Sequence, residues 1–160
     1  MELSIVHINV PENVNIIVGQ AHFIKTVEDV YEAIVNCNPN IEFGIAFCEA
    51  SGKRLVRIEG NDKTLIKVAA DNAMNIGAGH IFVIVLKNGY PINVLNAIKN
   101  VPEVCRIYCA TANPLEVIVA HTKQGRGIIG IVDGFMPDGI ESDEDIEARK
   151  KLLRNIKYKL

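Results

Sequence analysis

Residues 77–86 read GAGHIFVIVL, and the last six of them are apolar without interruption. A strand with one wet face alternates apolar and polar residues, whereas a continuous apolar run is covered on both faces. The run therefore predicts a strand in the middle of a sheet, with helices packed on each side. At its entrance stands His80, one of four histidines in the chain, with Gly77 and Gly79 just before it.

Working outward from that strand, DKTLIKVAADNAMNIG predicts a long helix. Asn61 or Asp62 caps its start, and Gly77 ends it in the left-handed conformation. After the strand, Asn88-Gly89 is a turn, and Pro91 suits the first turn of a short helix, PINVLNAIKN. Towards the N-terminus, ELSIVHINV alternates and stops at Pro11, and NVNIIVGQAHF holds a second strand. Thr26 is the expected N-cap of the helix TVEDVYEAIVNC, which Pro39 closes. IEFGIAFCEA and KRLVRIEG read as two strands of a hairpin around Ser51-Gly52. Towards the C-terminus, VCRIYCATA is a strand, and EVIVAHT and GIIGIVDG form a hairpin across KQGR. A polar helix, DEDIEARKKLLRNI, comes last; Ser142 and Asp145 give it a capping-box start, with acids first and bases last. Nothing resembling a linker or a repeat interrupts the 160 residues. The expected fold is a single-domain α/β protein, a three-layer α/β/α sandwich with a mixed sheet.

Bulk composition narrows the function. Half of the chain is apolar (49%), which argues against disorder, and its net charge of −2 gives no reason to expect nucleic acid or a membrane surface as partner. No apolar run is long enough to span a bilayer. The start, MELSIVHINV, lacks the basic region and cleavage site of a signal peptide, which points to the cytoplasm. The four cysteines form no CxxC pair, and the histidines do not fall at zinc-finger distances. Cys105 and Cys109, four apart on one strand, should share a face as reduced, buried thiols.

Several stretches could carry chemistry, and each also has a plainer reading. GRGIIG at 125–130 fits the GxGxxG pattern but runs into a strand instead of opening a helix, which argues against a dinucleotide loop. Gly125 and Gly127 could still turn backbone N–H groups towards a phosphate, with Arg126 as a charged fork; the alternative is a hairpin turn with a solvated arginine. ATANP ends a buried strand, where Thr111 and Asn113 could meet a base edge or make an ordinary turn. Asp133 could hold a ribose hydroxyl or a magnesium ion, or form part of a turn. Glu49 and Ser51 lie at a hairpin tip, where Glu49 is either a general base, a metal ligand or a solvated carboxylate. His80 is either a satisfied core histidine or a nucleophile that attacks a phosphoryl group. Against the second role stands the C-terminal dipole of the preceding helix, which disfavours an anion unless a cation such as Arg126 offsets it.

FGIAFCEASGKRLVRIEGND, NIGAGHIFVIVL, NGYPINVLNAIKNVPEVCRIYCATANP, GRGIIGIVDG and EDIEARKKLLRNIKYKL together resemble the adenosine-specific kinase family of small prokaryotic proteins. The similarity runs from about residue 40 to the end and more loosely before it. It implies a cytoplasmic α/β protein that binds adenine nucleotides (AMP, ADP or ATP) and carries a stable phosphohistidine. It also implies a homo-oligomer with sites near subunit boundaries. The family's phosphorylated histidine falls on His80. Within the matched motifs, the candidates from chemistry are Glu49 beside His80 in catalysis, and Ser51, Asn72, Tyr90, Asn93, Thr111, Asn113, Gly125, Arg126, Gly127 and Asp133 in nucleotide binding. The expected scheme docks the base at Thr111 and Asn113 and the phosphates at the Gly125–Gly127 turn, with Mg2+ as the divalent ion that neutralises their charge. A non-catalytic nucleotide sensor and a purely structural assembly are the competing classes.

Overall fold

In the computed structural model, which describes residues 1–160, the run HIFVIVL becomes β5 (Ile81–Lys87), the third of five strands in the larger sheet. Its neighbours are β3 (Glu42–Cys48) and β2 (Asn15–Ala21), and the sheet is completed by β4 (Val56–Gly60) and β6 (Val104–Thr111) in the order β4-β3-β5-β2-β6. The period of two along β5 splits the interior into two cores. Ile81, Val83 and Val85 enter one; Phe82, Ile84 and Leu86 enter the other, and all six are buried.

Two helices cover the Phe82 face: α1 (Thr26–Cys37), through Val30 and Ile34, and α3 (Pro91–Lys99), through Val94 and Ile98. The other face is covered jointly by α2 (Lys63–Ile76) and by a second, three-stranded sheet. That sheet consists of β1 (Glu2–His7), β7 (Leu115–His121) and β8 (Arg126–Asp133), in the order β1-β7-β8, and β7 brings Leu115, Val117 and Val119 to the core. Helices on both faces of a central sheet are as the apolar run requires. The pairing differs from the mixed sheet expected: all six strand pairs are antiparallel. A fully apolar strand reports burial on both faces and carries no information about strand direction.

Local signals set the ends of α2. The Asp62 side chain accepts a 2.8 Å bond from the Leu65 N–H, and Gly77 (φ +62°) closes the helix with its N–H on the Ala73 carbonyl. The helix starts against β3 at Gly44, where a Cβ would lie 2.2–2.4 Å from the backbone of Leu65 and Ile66. Thr26 is not the N-cap of α1 but its first helical residue; its buried hydroxyl donates to the Phe23 carbonyl, and Lys25 takes the cap position. The final helix, α4 (Asp143–Asn155), has the expected capping box, and none of its residues is buried. No helix is long and apolar enough to cross a membrane.

The face shared by Cys105 and Cys109 is not realised. Pairing with β2 skips Tyr108 and again Cys105, so alternation along β6 is broken. Cys109 packs against the α2-side core and Cys105 is exposed; all four cysteines are free thiols.

Candidate active site

His80 sits where α2 turns into β5. Gly77 and His80 are both left-handed, at φ +62° and +63°, a conformation that glycine adopts freely and histidine uncommonly. The backbone of His80 is held from both sides: its N–H donates to the Cys48 carbonyl (2.8 Å), and its carbonyl accepts from the Ala21 N–H (2.9 Å). The half-buried imidazole stacks on Phe47, with ring centroids 5.7 Å apart and planes 22° from parallel. No side-chain hydrogen bond within the chain occupies its nitrogens.

His80 lines a cleft of about 910 Å³, within the range that encloses small-molecule ligands. One wall is the loop between β3 and β4, with Glu49, Ala50 and Arg54; another is the tip between β7 and β8, with Gly125, Arg126 and Gly127. The glycines before His80 touch both walls. A Cβ on Gly79 would lie 3.0 Å from that of Ala50, and one on Gly77 would lie 3.1 Å from Nη1 of Arg126. Arg126 Nη1 also donates to the Asn75 carbonyl (3.2 Å), in the last turn of α2. A permanent cation thus caps the helix end whose dipole would otherwise repel an anion beside His80.

Other expectations for this cleft are corrected. Gly125 and Gly127 do not form an anion-binding nest, because neither has a positive φ. The hydroxyl of Thr122 accepts from the N–H groups of Gln124 and Gly125 at 3.2 Å, so the tip is satisfied internally. Arg126 is the ionic group that the tip contributes to the lining of the cleft. Glu49 is poorly suited to be a general base. The Leu55 N–H (3.1 Å) and the Arg57 guanidinium (3.0 and 3.1 Å) hold its carboxyl below the ordinary glutamate value. Ser51 is exposed at the loop tip, with its carbonyl accepting from the Arg54 N–H at 3.1 Å. No cluster of three metal-ligating side chains forms, and Glu49, the one carboxylate lining the cleft, is engaged by Arg57.

The remaining candidates lie elsewhere. Asn72 is buried and clasps the β1–β2 connection: it donates to the carbonyls of Asn9 (2.7 Å) and Val68 (3.0 Å) and accepts from the Asn9 N–H (2.9 Å). Asn93 caps α3 by accepting from the Tyr90 N–H at 2.8 Å. Tyr90 and Thr111 line a separate, more apolar groove of about 680 Å³ with Ile92, Ile156 and Tyr158. Thr111, Asn113 and Asp133 bond one another: the Thr111 hydroxyl (2.7 Å) and the Asn113 amide (3.2 Å) both donate to Asp133 Oδ1, and the Asn113 N–H donates to the Thr111 oxygen (3.0 Å). Asp133 and Arg126 are the two ends of β8, roughly 24 Å apart at about 3.4 Å per residue. One chain therefore does not bring Thr111 and Asn113 to the Arg126 end of the His80 cleft.

Arg54, at φ +53° in the wall of the cleft, was not singled out from the sequence. SGKR shows a hairpin loop but not which of its residues turns left-handed.

The sequence model of a family described as "adenosine specific kinase" matches residues 6–159. Among solved structures, the chain is similar to the crystal structure of the PH1918 protein from Pyrococcus horikoshii OT3. The two share 49% identity and a TM-score of 0.95 over 99% of this chain and 98% of that one. No curated protein matches the chain.

Proposed function

The chain belongs to the adenosine-specific kinase family, and from that premise we propose that it is a phosphotransferase working through a phosphohistidine at His80. The observation that carries this reading is a half-buried imidazole, stacked on Phe47 and making no side-chain hydrogen bond within the chain, at the edge of a ligand-sized cleft that also holds Arg126. An imidazole nitrogen attacks the terminal phosphorus of an adenine nucleotide. The N–P bond forms as the P–O bond to the leaving nucleotide breaks, and the leaving oxygen keeps the electron pair. The second ring nitrogen gives up its proton to solvent. Attack by an acceptor hydroxyl then breaks the N–P bond, restores the imidazole and releases the hydroxyl proton. Arg126 neutralises charge on the phosphoryl oxygens, and the stacked Phe47 fixes the plane of the ring.

Adenine does not dock on Thr111 and Asn113 of the same chain in this scheme, since those residues stand at the far end of β8. A homo-oligomer is part of the reading. It is supported by a terminal helix with no buried residue, and by Phe135, Met136 and Ile140, which are at least 87% exposed. One observation favours the sensor alternative: the sole carboxylate of the cleft, Glu49, is engaged by Arg57 and the Leu55 N–H, leaving no carboxylate base for an acceptor hydroxyl.

Incubation with γ-labelled ATP and magnesium tests the scheme. Acid-labile label on the wild type and none on His80→Ala is expected. Equal labelling of the two removes His80 as the acceptor.

A further inference from the structure

Three charged side chains line the His80 cleft: Glu49, Arg54 and Arg126. Glu49 is paired with Arg57, which neutralises it, while neither Arg54 nor Arg126 takes part in an ion pair. The cleft thus holds two uncompensated guanidinium groups in a chain whose net charge is −2. They come from different walls, Arg54 from the β3–β4 loop and Arg126 from the start of β8.

The loop that carries Arg54 is closed by hydrogen bonds on both sides of it. Glu49 N–H donates to the Leu55 carbonyl (3.0 Å), Leu55 N–H returns to Glu49 Oε2 (3.1 Å), and Arg54 N–H donates to the Ser51 carbonyl (3.1 Å). Between these bonds Arg54 is held at φ +53°, which side chains other than glycine rarely adopt. The loop therefore fixes the point from which this guanidinium leaves the backbone, at the wall of the cleft.

We propose that Arg54 is an anion-binding residue that acts with Arg126 as a clamp on the polyphosphate end of the bound nucleotide. The proposal rests on reading the cleft as a phosphate site. It specifies the ligand class further: two unpaired guanidinium groups and no free carboxylate favour an oligophosphate over a monophosphate or a neutral nucleoside.

Titration calorimetry of the full chain with inorganic pyrophosphate isolates the clamp from any adenine contact. Arg54→Gly suits the left-handed backbone and removes the whole side chain with its guanidinium; it should weaken pyrophosphate binding by about tenfold or more. Arg54→Lys should fall between that and wild type. Lys53→Ala, next to it but outside the cleft lining, should stay close to wild type. Binding to the wild type should weaken as salt rises. Unchanged affinity in Arg54→Gly, an equal loss in Lys53→Ala, or no pyrophosphate binding by wild type overturns the clamp. His80→Asn separates the two claims, because it should still bind pyrophosphate while accepting no phosphoryl group. A wild type that binds pyrophosphate through Arg54 but takes no label from ATP upholds the clamp and removes the phosphohistidine. Label on His80 with affinity unchanged in Arg54→Gly does the opposite.

Discussion

The imidazole of His80 lies on the ring of Phe47 with 5.7 Å between centroids, and Phe47 is itself buried in the core beneath α1 and α3. A titratable group at the lip of the sheet thereby takes its orientation from a residue that cannot move without disturbing that core. Phe47→Leu keeps an apolar side chain but loses the flat support. Phosphorylation of the variant should slow by about tenfold, since small misplacements of a reacting group are costly. Thermal unfolding should show a loss of about 1–3 kcal/mol. Label accumulation and melting, measured on the same preparation, check both.

Left-handed backbone at His80 separates its structural and chemical roles. His80→Gly should be more stable than His80→Ala by about 1 kcal/mol, because only the alanine retains the left-handed strain. Neither variant should accept phosphate. Chemical denaturation ranks the two.

Gly77→Ala combines a left-handed backbone with a Cβ 3.1 Å from Arg126 Nη1. The variant should lose about 1–2 kcal/mol of stability and also bind nucleotide more weakly, through displacement of the guanidinium. Gly125→Ala meets open space and has no positive φ, so it should change neither. Melting curves with and without nucleotide distinguish the two substitutions.

Acid sensitivity should report the Glu49 clamp. The Leu55 N–H and Arg57 depress the folded-state value of its carboxyl, so the stabilisation is present above the ordinary glutamate range and is lost as pH falls through the depressed value. The advantage of wild type over Glu49→Gln should be full near neutrality and vanish in strong acid. Denaturation midpoints across that range give the comparison.

Thr111 should behave as a structural residue. Thr111→Val removes a hydroxyl that donates to Asp133 and accepts from the Asn113 N–H, which should cost about 1–3 kcal/mol. Labelling of the folded variant should match wild type.

How far the sequence reaches is clearest by comparing particular elements. The unbroken apolar run of β5, the Asp62 and Gly77 caps of α2, and the Ser142 box of α4 are local signals, and each has its expected counterpart. Strand direction, the bulges in β6 and the division into two sheets depend on partners distant in sequence, and no local pattern carries them. The same limit governs the site. The place of His80 before a buried strand leaves a core role and a chemical role both open, and the family resemblance is what selects it; Arg126 stands out by its charge in a glycine-flanked turn. Their meeting across the end of α2 is not legible in the sequence, because it depends on β8 packing beside a helix fifty residues earlier. Thr111, Asn113 and Asp133 are well equipped to meet a nucleotide, but those same polar groups join β6 to β8.

The central claim is that phosphate becomes bonded to one imidazole. Peptide mapping by mass spectrometry, kept at neutral to alkaline pH after incubation with ATP and magnesium, tests it most directly. One added phosphoryl group on the peptide containing His80, localised to that histidine and lost on brief acid treatment, is the result predicted. A phosphoryl group on a serine, threonine or carboxylate of the cleft, or no modification at all after prolonged incubation, would contradict it.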